Sequence, residues 1–369
     1  MDMIPVSEPF LGERERQYLL DAFDSGWISS AGPYIERLER AFASFCGVTH
    51  AVAVSNGTVA LHLALHALGI AEGDEVIVPD LTFVATGNVV LHAHAVPVIV
   101  DVDPETWCMD PAAFERAITN KTRVVIPVHL YGHPADMERI NAIARARGVT
   151  VIEDAAEAHG AQIGARRVGS FGRCAAFSFY GNKIMTTGEG GMVTTNDAEL
   201  AERLRFLRDH GMSRSRRYWH TEVGFNYRMT NLQAAIGLAQ LEQIDLLIRL
   251  RREVVERYRR NLAGVPGLSL NPCRAGVTNT YWMACLRCAG WNEERRAAAM
   301  TVLREKGVDT RPFFYPLSAM PMYAGARHDT PTAHLVSPTG INLPSSAKLS
   351  REQVDRVSER VLDVVSAGS

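Results

Sequence analysis

The sequence is poor in cysteine, has no surplus of positive charge and contains no long unbroken apolar run. Each shortage removes a class of protein. Six cysteines in 369 residues, at 46, 108, 174, 273, 285 and 288, are too sparse for a disulfide framework, so reduced thiols are expected. Cys285 and Cys288 spell C-x-x-C, but they lie in YWMACLRCAGW, whose apolar and aromatic residues read as a strand. Three positions apart on a strand, two side chains point to opposite faces, and no second pair completes a zinc site. No metal centre is expected. Lysine and arginine total 39 against 41 acidic residues, a formal net charge of −2. No chain-wide field draws the molecule to nucleic acid or an anionic membrane, and any anion it binds requires a local site. The longest informative uncharged run, Leu81 to Val100, contains Gly87, Asn88, His92, His94 and Pro97. It reads better as a buried helix and a buried strand than as a membrane span. The N-terminus, MDMIPVSEPFLGERERQ, has no apolar core ahead of a small-residue cleavage site, so a cytoplasmic protein is expected.

What is present, 47% hydrophobic and 22% charged residues, describes a globular chain long enough for two domains. From Ala51 onward short β-branched runs alternate with helical stretches. The runs are AVAVS (51–55), EVIVP (75–79), VPVIVDV (96–102), RVVIPV (123–128) and VTVIED (149–154). So few polar positions suit a parallel sheet covered on both faces, in an α/β domain with right-handed crossovers. AAFSF (175–179) and GMVTT (191–195) continue as strands, a basic stretch runs from Arg203 to His220, and one long helix is expected from about Asn231 to Asn261. The Gly- and Pro-rich AGVPGLSLNPC (263–273) marks a composition break. The expected division is a large α/β domain over 1–245, whose first 50 residues can also touch the smaller unit, and a small C-terminal α+β domain over 246–369 entered through the long helix.

In open parallel sheets, ligands bind beyond the carboxyl ends of the strands. Four features stand there. Ser55-Asn56-Gly57-Thr58 joins a strand to a helix; Gly57 permits close backbone approach, Thr58 can cap, and the helix start offers N–H groups to an anion, although a capped turn without ligand fits equally. Asp154 ends the strand VTVIED, where a buried carboxylate needs a cation or donors, or serves as an N-cap. Lys183 follows a strand among small and apolar residues in FSFYGNKIMTTGEGG; burial there depresses an amine's pKa, as a nucleophile requires. Ser178, on the preceding strand, can offer a hydroxyl to an anion or be an ordinary strand serine. Phe83 can plate a ring or fill the core. Together an anion cradle, a carboxylate, an aromatic face and an amine are what pyridoxal phosphate (PLP) requires.

The segments SNGTVALHLALHALGIAEGDEVIVPDLTFVAT (55–86), VDVDPETW (100–107), IPVHLYGHPADM (126–137), VIEDAAEAHGA (151–161), FSFYGNKIMTTGEGGMV (177–193) and GFNYRMTNLQAAIGLAQL (224–241) give the chain a resemblance along nearly its whole length to the DegT/StrS sugar aminotransferases, fold-type-I PLP enzymes. That resemblance implies Lys183 as the Schiff-base lysine and Asp154 as partner of the pyridine nitrogen. It implies that Gly57, Thr58 and Ser178 hold the phosphate and that Phe83 stacks on the ring. Asn226, in GFNYR, would reach the phosphate of a neighbouring subunit's cofactor, so that active sites are shared across a homodimer. Many members carry Gln where this chain has Glu157, beside the cofactor's 3-oxygen. Glu157 with the loop TRPFFYP resembles the perosamine synthase subgroup, which aminates GDP-4-keto-6-deoxymannose. Related sugar 3-dehydratases carry His at the position of Lys183, so the lysine favours transamination over dehydration. The expected reaction is therefore amination of a nucleotide-linked 4-keto-6-deoxysugar with glutamate as donor, the cofactor cycling through pyridoxamine phosphate. A dehydratase and a non-catalytic PLP-binding regulatory protein are the alternatives. Candidate substrate contacts are His159, Arg228, Arg311, Phe313 and Tyr315; the arginines at 214, 216 and 217 read equally as a solvated basic segment.

Overall fold

A computed structural model describes residues 3–366; the outermost residues of the two expected domains lie outside that range. The apolar runs form an eight-stranded sheet in the order β1-β9-β8-β5-β4-β2-β3-β14. Its strands are β1 (His50–Val54), β2 (Glu75–Pro79), β3 (Val96–Val100), β4 (Thr122–Val125), β5 (Thr150–Asp154), β8 (Cys174–Ser178), β9 (Gly191–Thr195) and β14 (Arg327–Asp329). Only β9 runs against its neighbours; every other pairing is parallel. Successive side chains on a strand alternate between faces, and here both faces are apolar. Ala51, Ile77, Val125, Val151 and Phe177 join one buried cluster, whereas Val52, Val76, Val124, Ile152 and Ala176 join the other. The Leu81–Val100 run resolves into helix α4 (Ala85–His92) and strand β3, as its polar interruptions require. No helix among the described residues is long and apolar enough to cross a membrane.

Helices α1 (Glu13–Asp24), α2 (Pro33–Cys46), α3 (Gly57–Ala67), α5 (Pro111–Ala117), α6 (Met137–Arg147) and α7 (Ala198–Arg208) accompany this sheet. The single helix expected over 231–261 is instead two, α8 (Asn231–Leu241) and α9 (Ile244–Asn261). No proline or glycine stands at the break. The cause is tertiary: Gln243 leaves helical geometry (φ −120°, ψ 19°), and its side chain, like that of Gln240, donates to the carboxylate of buried Glu15. A buried carboxylate without donors would be costly.

Beyond α9 a second, antiparallel sheet forms, in the order β10-β12-β15-β13: β10 (Leu268–Leu270), β12 (Ala284–Cys288), β13 (Arg311–Pro312) and β15 (Gly340–Leu343). Helices α9, α10 (Glu293–Glu305) and α12 (Arg351–Ser366) close a third cluster over it. Cys285 and Cys288 lie on β12 and join different clusters, on opposite faces as their spacing predicts. A small sheet of β6 (Gln162–Ile163), β7 (Arg166–Arg167) and β11 (Val277–Thr278) bridges the two halves of the chain. Ile4 exchanges backbone hydrogen bonds with Gly307 and Asp309, just past α10, and Ser345 N–H donates to the Val6 carbonyl. The chain past 246 does not stay with its own sheet. Leu317 and Tyr323 enter the large core, and β14 extends the large sheet beside β3. Gly87 admits this return, because a Cβ there would lie 2.5 Å from the Tyr323 hydroxyl, which donates to Asn88. Helix α11 (Pro331–Val336) follows.

Candidate active site

The C-terminal edges of β1, β2, β5 and β8 face one way because these strands are parallel. At the end of β1, Asn56 caps α3, its side chain accepting from the Val59 N–H at 3.0 Å. The first N–H groups of α3, those of Gly57 and Thr58, have no acceptor within the helix and carry its positive dipole end. Gly57 is there for closeness: a Cβ on it would sit 2.7 Å from the Ser178 Cβ. The helix start and the serine that ends β8 thus form one cradle.

At the end of β5, Asp154 is buried; it accepts from the Thr86 hydroxyl at 2.7 Å and from the Ala156 N–H at 3.2 Å. Burial pushes its carboxyl up, against the pull of these donors and of the Lys183 charge. Among the described residues no cation touches it. A protonated ring nitrogen would suit such a carboxylate. The preceding residue anchors the strand: Glu153 is fully buried and accepts from the N–H groups of Gly169, Phe171 and Gly172 at 2.7–2.8 Å. His129 Nε2 lies 3.0 Å from the same carboxylate. Because the Ala135 N–H donates to His129 Nδ1, the histidine proton belongs on Nε2, facing Glu153. Sequence reasoning passed over this pair, since polar residues in an apolar strand give no hint of their partners.

Lys183 is side-chain buried, 10% exposed, with Nζ 3.8 Å from Glu157 Oε1 and 3.7 Å from the centroid of the Trp282 ring. The other Glu157 oxygen accepts from the Tyr131 N–H at 2.8 Å. Burial lowers the lysine pKa and raises that of the glutamate, while each charge opposes the effect on the other. Trp282, which the sequence reading did not single out, stacks with Tyr131 and Phe314, and these two stack on each other. Phe83 is 53% exposed, 5.8 Å from Phe314, and so is no core residue. The residues present therefore fit PLP, with a cradle for phosphate, a cation-seeking carboxylate, an open aromatic face and a buried amine.

Two expected substrate contacts are corrected. Phe313 is fully buried against Trp107 and Tyr131, in space that Gly340 leaves by lacking a Cβ; it packs the core, and its neighbour Phe314 faces the site. Adjacent residues of an extended segment point opposite ways, and the sequence does not say which way. His159 is fully buried between Phe177 and Phe179. Neither ring nitrogen makes a well-formed hydrogen bond, and burial pushes its pKa down to about 3. It is a neutral core ring.

The remaining candidates stay at the surface. The Arg228 guanidinium bonds the Asn226 side chain at 3.0 Å and Asp209 at 2.8 Å, on the rim of a cleft of about 300 Å³ shared with Arg205, Arg208 and Ser30. Arg311 pairs with Asp309, and Tyr315 lies under the buried Arg296 guanidinium. Arg214 pairs with Glu202, Arg216 lies over Trp219 and Arg217 over Tyr218. No hydrogen bond or ion pair among the described residues joins any of these to Lys183 or Asp154. Within one chain the site is an amine, two carboxylates, a cradle and aromatic walls.

Such a kit on the carboxyl edge of this sheet defines a fold-type-I PLP enzyme of the aminotransferase class. Residues 9–362 match the DegT/DnrJ/EryC1/StrS aminotransferase family, and the chain belongs to that family. It is similar to GDP-perosamine synthase of Escherichia coli O157:H7, 47% identical over 99% of this chain and 100% of that one. It is also similar to GDP-perosamine synthase of Caulobacter vibrioides, 48% identical over 96% of each. Among solved structures it resembles Spr1654 of Streptococcus pneumoniae in its PLP form (TM-score 0.94, 30% identity, 99% of both chains). DesV of S. venezuelae is similar as well (TM-score 0.91, 36% identity, 99% of both). The chain is a PLP-dependent sugar aminotransferase; neither the dehydratase nor the non-catalytic alternative is favoured.

Proposed function

We propose that this enzyme aminates C4 of GDP-4-keto-6-deoxymannose to give GDP-perosamine, with glutamate as donor, in the cytoplasm and as a homodimer with shared sites. A cofactor domain over about 1–245 and a small domain over 246–369 belong to the same reading. One observation carries the substrate: three GDP-perosamine synthases match at 44–48% identity over 96–99% of this chain. When bound, PLP supplies an electron sink for the carbanion character that develops at the reacting carbon. The chain's own residues do the rest. Gly57 and Thr58 N–H groups and the Ser178 hydroxyl hold the phosphate, Phe83 covers the ring, and Asp154 holds a proton on the ring nitrogen. Lys183 takes the α-proton of the donor as general base and later returns a proton to C4 of the sugar. Glu157, 3.8 Å away, stabilises the ammonium in between. Asn226, exposed on its own subunit, and Arg228, partly exposed, are offered to the neighbouring site.

The test is incubation of the purified enzyme with glutamate and GDP-4-keto-6-deoxymannose, with mass analysis of the product. Replacement of the keto oxygen by an amino group, together with 2-oxoglutarate formation, is expected. Loss of water without amination, or turnover only of a sugar linked to another nucleotide, would sink the assignment.

A further inference from the structure

Behind Lys183 lies a second buried cation that the reaction scheme above leaves unused. Arg251, on α9, is 3% exposed. Its Nη1 donates to the carbonyls of Trp282 (2.8 Å) and Ser345 (3.2 Å), and its Nη2 to those of Lys183 (3.0 Å) and Asn182 (3.4 Å). Among the described residues no carboxylate pairs with it, and its Nε has no partner. Burial draws its pKa down only to about 10, so it stays charged at neutral pH. Neutral carbonyls return less than a buried guanidinium loses in leaving water, and an apolar side chain of similar volume would serve packing better. The residue therefore calls for a role other than cohesion. Its four acceptors come from the Lys183 loop, from Trp282 in the segment leading into β12, and from the segment that follows β15. These are the pieces that fix where the amine sits.

We propose that Arg251 is a positioning residue of the transamination site: it clamps the backbone of Lys183 to that of Trp282 and places an uncompensated positive charge behind the amine. The inference rests on Lys183 being the catalytic amine. The groups facing Lys183 are the carboxylates of Glu157 and Asp154, which favour its ammonium, the neutral His159, and Arg251, which favours the free amine. Burial does most to favour the free amine, and the arginine adds to it against the two anions, so that Lys183 can act as a base.

The experiment uses full-length apo- and holoenzyme. In cofactor-free protein, the rate at which fluorodinitrobenzene labels Lys183, quantified by peptide mass, is followed against pH; the reagent attacks only the free amine. Arg251→Met is expected to move the midpoint up by about one pH unit, roughly a tenfold loss of free amine below it. Arg251→Lys keeps the charge but loses the fork, so its midpoint stays near that of the wild type while kcat falls at least about tenfold with KM for the sugar nucleotide unchanged. An unmoved midpoint in Arg251→Met overturns the proposal whatever the activity. Arg251→Gln gives the same reading should the Met variant not fold, and if neither folds, an Arg251→Lys enzyme with wild-type kcat overturns it. Borohydride trapping of PLP on wild-type holoenzyme separates this from the underlying reading: a label on a peptide other than that of Lys183 rejects the catalytic assignment, independently of Arg251.

Discussion

Lys183 illustrates how one residue's chemistry is set by its neighbours. An exposed lysine is almost wholly protonated at neutral pH; here burial favours the free amine and the Glu157 and Asp154 charges favour the ammonium. Glu157→Gln keeps the shape and the acceptor for the Tyr131 N–H but removes the nearer anion. With that anion gone the lysine pKa falls, so the acidic limb of the kcat–pH profile should move to lower pH. A limb that stays in place or moves up contradicts the pairing. Lys183→Ala should lose kcat by at least the 10²–10⁴-fold typical of a general base, as well as the visible absorption of protein-bound cofactor; a spectrally intact, active variant would remove the lysine from the mechanism. The buried histidines give a prediction about stability. His133 is held down to about 4 and His159 to about 3, both first by burial, against 6.5 for the unfolded side chain. The unfolded chain therefore binds their protons first, and each histidine removes about 1.4 kcal/mol of stability per pH unit as pH falls from about 6.5 towards its folded value. Asp154 and Glu157, with raised values, act in the opposite sense, so the readout is a difference: urea melts at pH 7 and 5 should show a shallower acid loss in His133→Asn than in the wild type.

At the scale of elements, the site depends on two strand ends pressed together. The start of α3 can approach the end of β8 only because residue 57 lacks a side chain. Gly57→Ala forces a Cβ against Ser178, and overpacking of this kind costs about 1–3 kcal/mol. The helix start should retreat, weakening cofactor retention by roughly tenfold or more as measured by absorbance titration; wild-type affinity would show that the cradle is not the phosphate site. The βα turn was visible in the sequence because its signals are local, an apolar run followed by small polar residues and a glycine; the cap itself is Asn56 and not the expected Thr58, which lies inside the first turn of α3. The break between α8 and α9 was not, because it answers to Glu15, more than 200 residues away in the chain. The same holds for Phe313 and Phe314, whose facing is decided by Trp107, Gly340 and Tyr131.

At the scale of the whole molecule, Asn226 and Arg228 stand on the surface, bonded to each other and to Asp209, while the amine and Asp154 lie buried at the sheet edge. The shared-site dimer reading is tested by mixing subunits. Lys183→Ala and Asn226→Ala proteins, each impaired alone, should regain up to about a quarter of wild-type activity after dissociation and reassociation, since half the random dimers are hybrids with one intact site; no recovery would mean that each chain completes its own site. The sequence by itself determined the parallel sheet, the strand ends beyond which a ligand is expected, and the family's PLP chemistry. Short apolar runs and strand-to-helix turns are short-range properties, and a parallel sheet then brings its strand ends to one edge without further instruction. Only the tertiary structure decided that Glu157 and Trp282 flank Lys183, that Arg251 lies behind it with carbonyl partners and no carboxylate among the described residues, that His159 belongs to the core, and that the C-terminal segment returns to give the large sheet its edge strand β14. Those outcomes depend on contacts between residues far apart in sequence, where the cost of burying a charge or filling a void is set by partners that the local pattern does not name.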